Sequence, residues 1–165
     1  MSAPQEFLKE LNDESVVTRK MLERVPEDKY DWRPHEKSMS VMQLAGHIAE
    51  LPSWISMAFT TDELDFQASA YVPPALNNNQ DLLGLFEKSF AEAREKLESN
   101  SNADLSPAWL LKNGEQVLMS LTKGGLIRHA LSQTIHHRAQ LGVYLRLLDI
   151  PIPGTYGPSA DDPSF

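Results

Sequence analysis

The chain has 165 residues, a formal net charge of −8 and no cysteine. Nucleic-acid binding needs a basic face, and neither the acidic total nor any Lys/Arg cluster provides one. The missing cysteines exclude disulfides, thiolate metal sites and cysteine nucleophiles. No apolar run reaches the roughly 20 residues of a membrane span, and the first residues lack the pattern of a signal peptide. We therefore expect a single cytoplasmic domain over residues 1–165.

The first half of the chain predicts two helices. Apolar residues at steps of three and four indicate a helix over about residues 4–25. Ser40 followed by Gln43 has the spacing of a capping box, so a second helix should begin near Val41. Pro52 should bend that helix, because proline removes a backbone donor and crowds the preceding turn.

The second half predicts two more helices and a hairpin. Residues 62–80 are rich in proline, asparagine and threonine and predict a long connection, after which a third helix runs to about Asn100. Asn113-Gly114 between two apolar runs predicts a short β-hairpin with a type I′ turn. The last helix should begin after Gly125 and end near Asp149. The predicted fold is an all-α four-helix bundle with a short β-hairpin before the last helix.

Histidines on the predicted buried stripes are the main chemical signal. Each imidazole taken alone fits a hydrogen-bonded core residue, but positions 133 and 137 lie one helical turn apart and project to the same side. His47 on a facing helix, with Gln133 and His137 on the last, would form a three-ligand facial set with open positions for water or substrate. His129 and His136, seven residues apart, also share a face and form a rival set. His35 lies in a loop and should be exposed.

Four segments carry a family resemblance: residues 30–34, 44–50, 132–141 and 153–161. Together they resemble the DinB-like superfamily, which is also described with the YfiT-like bacillithiol transferases. The resemblance implies a four-helix bundle, often a homodimer, with zinc or nickel held by three histidines. The first matches His47 and the last matches His137, where His-Arg-Ala-Gln stands for the family's His-Arg-Gly-Gln.

The middle metal ligand of the family falls on Gln133. An amide oxygen binds zinc or nickel more weakly than imidazole, so the ion would be weakly held or absent. Within the His-Arg-Ala-Gln segment, Arg138 and Gln140 would support the metal site or join helices. Glu50, one turn after His47, is the nearest candidate for a general base, although a solvated carboxylate is the plainer interpretation.

The resemblance implies a metal-dependent enzyme acting on a small molecule, of the thiol S-transferase or hydrolase type. The ion would activate a low-molecular-weight thiol or water. Three aromatic side chains are candidates for the pocket lining, although core packing is the plainer interpretation for each: Trp54, Trp109 and Tyr156. Two alternatives stay open. One is a degenerate, non-catalytic helical dimer that binds a ligand or partner. The other is a purely structural bundle whose histidines make only hydrogen bonds.

Overall fold

The computed structural model describes residues 1–68 and 71–163. These residues form five α-helices and a three-stranded sheet: α1 (Ala3–Leu22), α2 (Val41–Glu50), α3 (Pro52–Thr60), β1 (Glu63–Asp65), α4 (Asn79–Ser99), β2 (Ala108–Asn113), β3 (Gln116–Thr122) and α5 (Lys123–Leu147). Because α2 and α3 occupy the place of one predicted helix, the prediction of a four-helix bundle with a hairpin is confirmed. No helix within the described ranges is long and apolar enough to cross a membrane.

The second helix begins where the capping box predicts. The Gln43 backbone N–H donates to Ser40 Oγ at 3.2 Å, and the Ser40 N–H donates to Gln43 Oε1 at 2.8 Å. The predicted bend lies where α2 gives way to α3, with Leu51 as the one residue between them and Pro52 as the first residue of α3. Leu51 keeps helical angles of φ −53° and ψ −36°, so the two segments follow one another as a broken helix.

The last helix begins three residues earlier than predicted. Thr122 Oγ1 accepts a hydrogen bond from the Gly125 N–H at 2.9 Å, which caps a helix whose first residue is Lys123. This cap fixes the first turn, so the low helix propensity of the two glycines does not prevent it. The first helix ends at Leu22, three residues before the predicted end.

The hairpin forms as predicted, but its turn differs. Asn113 pairs with Gln116, so the two turn residues are Gly114 and Glu115. Gly114 has φ +63°, and Glu115 is not among the described residues with positive φ. A positive φ at the first turn position and not at the second is typical of a type II′ turn, whereas the predicted type I′ turn needs a positive φ at both positions.

Strand β1 lies in the connection that we predicted to be irregular. It pairs with β2 in parallel, with Glu63 opposite Leu110. The resulting sheet has the order β1-β2-β3, and Trp109 of β2, which is fully buried, packs into a core formed with α1, α3, α4 and α5. A second core joins apolar side chains of α1, α2, α4 and α5, and this packing sets α2 against α5.

Candidate metal centre and adjoining cavity

Two histidines from different helices meet where α2 packs against α5. The ring centroids of His47 and His137 are 4.9 Å apart, and the ring planes are inclined by 75°. The neighbours of His47 on α2, Leu44 and Ile48, are fully buried, so the helix that carries this ring is anchored in the core. The geometry therefore brings together the first and last of the three predicted ligands.

Each ring is held by an acceptor three residues further along its own helix. His47 Nδ1 lies 3.0 Å from Glu50 Oε1, and His137 Nδ1 lies 2.7 Å from Gln140 Oε1. Since these oxygens accept hydrogen bonds, each Nδ1 is a donor, and in the neutral ring Nε2 then carries a lone pair. Neither Nε2 has a hydrogen-bond partner in residues 1–68 and 71–163. Orientation through Nδ1 is the usual support of a metal-ligating histidine.

The environment of His137 favours its neutral form. Burial lowers the pKa of His137, and the neighbouring imidazoles of His47 and His136 lower it further, against the opposing effect of the hydrogen bond that His137 donates to Gln140. Metal ligation requires an unprotonated ring nitrogen. His137 is therefore suited to ligation near neutral pH.

The third predicted ligand, Gln133, is half-buried on α5 one turn before His137. Its amide makes no hydrogen bond with the described residues, so the oxygen is free to accept one or to ligate. No group of three or more His, Cys, Asp or Glu within the described residues is arranged to hold a metal ion. The donors available to a divalent cation are thus the two imidazoles in contact and an amide one helical turn from His137, a set that would hold such a cation weakly.

The other histidines do not form the rival set. His129 packs against Trp54 with ring centroids 6.2 Å apart, whereas His136 is exposed and lies edge to face with His137 at 4.9 Å. No ring contact joins His129 to His136 in the part of the chain that the structure describes. His35 is exposed, as predicted, and its Nδ1 accepts from the Lys37 backbone N–H at 3.1 Å.

Glu50 is held in place and is not the solvated carboxylate that we took as the plainer interpretation. Its side chain is only 16% exposed. Besides contacting His47, it accepts hydrogen bonds from the Tyr71 hydroxyl at 2.8 and 3.0 Å. Burial of this hydroxyl, followed by the hydrogen bond and charge of Glu50, raises the pKa of Tyr71 to about 12. Tyr71 therefore remains a donor at neutral pH and completes a chain from Tyr71 through Glu50 to His47.

Sequence reasoning missed Tyr71. It lies in the irregular connection between β1 and α4, where no periodicity or capping pattern predicts which way a side chain points. Close packing brings this connection to α2: a Cβ at Gly46 would lie 3.1 Å from Leu76 Cδ1. The small residue beside His47 therefore lets the connection pass close to the site.

A cavity of about 1070 Å³ opens beside His47 and Glu50. Its walls come from the loop before α2, from α2 and α3, and from the connection after β1. Trp54 lines this cavity, as predicted. Trp109 and Tyr156, the other two candidates, do not line it. The Trp109 side chain extends from β2 into the core, where it is fully buried and donates to Thr61 Oγ1 at 3.0 Å, and Tyr156 donates to Glu14 Oε1 at 2.6 Å.

Arg138 joins helices and stays away from the histidine pair. Its guanidinium, only 3% exposed, donates to Glu14 Oε2 at 2.5 Å and to Thr18 Oγ1 at 3.0 Å on α1. The Tyr156 ring lies over it at 5.3 Å. Of the two predicted supporting residues, Gln140 thus contacts His137, and Arg138 ties α5 to α1 and to the C-terminal tail.

The fold and the site define a class of protein: helical bundles in which a histidine on α2 faces a histidine on α5. The sequence profile of the DinB family matches residues 1–164, and the chain belongs to that family. No curated protein matches the chain.

Three solved structures share the fold. A DinB-like protein from Bacillus subtilis is 20% identical, with a TM-score of 0.66 over 89% of this chain and 96% of its own. A putative DinB family member from Exiguobacterium sibiricum is 22% identical, with a TM-score of 0.68 over 90% and 93%. A DinB-like protein from Bacillus cereus is 18% identical, with a TM-score of 0.69 over 92% and 97%.

Proposed function

We propose that the protein is a divalent-cation-dependent enzyme that acts on a small molecule in the cavity beside His47. The observation that carries the proposal is the paired arrangement of His47 and His137, each oriented through Nδ1 and each with Nε2 unengaged by the described residues. His47 and His137 would hold the cation through Nε2, and Gln133 through its amide oxygen. Zinc and nickel suit such a donor set.

When bound, a divalent cation lowers the pKa of a water or thiol at its open coordination position, so that this nucleophile is an anion near neutral pH. The chain's own residues provide the setting. Glu50 and Gln140 orient the two imidazoles, and the cavity holds the electrophile beside His47. Since the chain contains no cysteine, a thiol that reacts must come from the substrate.

Calorimetric titration with Zn²⁺ and Ni²⁺ tests the site. We expect about one cation per wild-type chain and no measurable binding in His47→Ala or His137→Ala. His35→Ala removes an exposed imidazole without touching the site, and His129→Ala removes a member of the rival set. Both controls should retain wild-type affinity. Equal affinity in all five proteins would contradict the proposed ligands.

Turnover tests the catalytic part of the proposal separately. With glutathione and 1-chloro-2,4-dinitrobenzene as probes, the sulfur displaces chloride from the ring, and the thiol proton is released. The cation-loaded wild type should exceed the metal-free protein and His137→Ala by at least tenfold. Equal rates in the three samples would contradict thiol transfer by this site with these probes.

A second function, ligand binding without chemistry, is favoured by the glutamine at position 133 and by the lack of a third ionisable ligand among the described residues. In that case, the cavity would bind small molecules equally well with and without cation, and neither transfer nor hydrolysis would be measurable.

The homodimer and the cytoplasmic location stay predictions. Sedimentation equilibrium of the purified protein tests the former.

A further inference from the structure

The cavity beside His47 changes its chemical character along its length. Its lining follows the chain: Arg33 and Lys37 come before α2, His47 and Glu50 lie on α2, and Trp54 and Met57 lie on α3. Since Leu51 keeps helical angles, a rise of about 1.5 Å per residue along α2 and α3 separates Val41, the first residue of α2, from Trp54 by about 20 Å. The cationic end and the apolar end are therefore separated, with His47 between them.

The end before α2 carries unpaired positive charge. Arg33 and Lys37 are exposed and line the cavity, and neither has an ion-pair partner within the described ranges. Glu36 lies between them in the sequence and lines the cavity too, so the two positive charges and one negative charge leave a net charge of +1 at this end. The Glu50 carboxylate is engaged by His47 and Tyr71. In a chain with a net charge of −8, this positive end is a local exception.

The end beside α3 is apolar and adaptable. Trp54 and Met57 are half-buried on α3, and Leu64 and Phe66 close the wall from β1 and the residue that follows it. Aromatic and methionine side chains provide large contact surfaces that adapt to ligands of different shape. Phe66 is 36% exposed, so this surface is open to a ligand.

We infer that the cavity binds an amphipathic anion. Its sulfonate or carboxylate group lies at Arg33 and Lys37, and its apolar body extends past His47 toward Trp54 and Phe66. The inference rests on the proposed function in assigning a substrate class to the same cavity. Binding itself requires no cation, because none of the contacts it uses involves one.

The test uses two probes with the same aromatic body. The full-length protein, freed of metal by EDTA and dialysis, is titrated with 8-anilinonaphthalene-1-sulfonate, which is anionic, and with N-phenyl-1-naphthylamine, which is neutral. The wild type should bind one molecule of each probe. Arg33→Gln combined with Lys37→Gln should weaken binding of the anionic probe at least tenfold and that of the neutral probe less than twofold.

The matched control is Lys20→Gln combined with Lys88→Gln. Both lysines are exposed, neither has an ion pair in the described residues, and neither lines the cavity, so the variant has the same net charge as the test variant. It should change both affinities less than twofold. Phe66→Ser should weaken both probes at least threefold, and circular dichroism should show that all variants retain the wild-type thermal midpoint.

Equal loss of anionic-probe binding in the two double variants would overturn the inference, because the effect would then come from net charge alone. The inference would also be overturned if the wild type failed to bind one of the two probes or both. Since no cation is present, these outcomes are independent of the calorimetric titration. The cation site could therefore fail while the anion site stands, or the reverse.

Discussion

The rings of His47 and His137 stand edge to face, with centroids 4.9 Å apart, and each is held through Nδ1 by the residue three positions later. This shared arrangement comes from two helices distant in the chain that the bundle packs together. It fixes which nitrogen of each ring is protonated, and it leaves both Nε2 atoms available to a cation.

Loss of the orienting side chains should weaken cation binding. Glu50→Ala and Gln140→Ala free the imidazole rings, and supporting residues of this kind typically contribute about 10- to 100-fold to metal affinity. Calorimetric titration with Zn²⁺ measures the change. Glu92→Ala, which removes an exposed carboxylate from α4, is the control. Unchanged affinity in both test variants would show that the Nδ1 partners have no part in ligation.

Stability of the metal-free protein should fall in mild acid through His137. Burial lowers the pKa of His137 in the folded state, so the unfolded chain binds more protons as the pH falls below the ordinary value of about 6.5. Above about pH 6.5 the ring is neutral in both the folded and the unfolded state, and its contribution to the free energy of unfolding is fully present. Below that pH the unfolded chain takes up a proton first, so this contribution falls as the pH falls toward the lowered pKa of the folded state.

Urea unfolding at pH 7.5 and pH 5.5 measures this loss. His137→Asn should reduce the difference in unfolding free energy between the two pH values, whereas His35→Asn should leave it as in the wild type. If the unfolding free energy of His137→Asn changed between the two pH values as much as that of the wild type, the pH dependence would come from groups other than His137.

Arg138 should matter for stability. Arg138→Met leaves the Glu14 carboxylate buried without its partner, and breaking a buried pair costs about 3–5 kcal/mol. Arg94→Met breaks an exposed pair with Glu98, and such pairs contribute at most about 1 kcal/mol. Chemical unfolding of the two variants measures the contrast. Similar losses in both would contradict the structural role of Arg138.

The parts of the fold that local signals specify were predictable. The start of α2 follows from the reciprocal hydrogen bonds of Ser40 and Gln43, which involve only neighbours in the chain. Strand β1 was not predictable, because its three residues are ordered by pairing with β2, far along the sequence. The interruption of the second helix at Pro52 was predictable, because proline acts on the turn that directly precedes it.

The site was predictable in its histidines and not in its surroundings. Helical spacing and the family resemblance indicated His47 and His137, but the direction of an aromatic side chain depends on tertiary packing. Trp109 extends from β2 into the core, and Tyr156 donates a hydrogen bond to Glu14 on α1. Tyr71 lies in an irregular segment, so its hydrogen bond to Glu50 emerged only from the structure.

Two glycines should respond in opposite ways to alanine. Gly114 has φ +63°, a backbone conformation that residues with a Cβ rarely adopt, so Gly114→Ala should destabilise the protein by about 1–2 kcal/mol. Gly84 lies in α4 with nothing near an added Cβ, so Gly84→Ala should stabilise it by about 0.5–1 kcal/mol. Thermal unfolding measures both. A gain in Gly114→Ala would contradict the observed turn.

Position 133 is proposed to complete a cation site with His47 and His137. Titration of Gln133→His with Zn²⁺ tests this most directly, because imidazole is a stronger ligand than an amide oxygen. We expect at least tenfold tighter binding than in the wild type, and loss of that gain when His137→Ala is added. Wild-type affinity in Gln133→His would contradict the proposed site, since position 133 would then not face the cation.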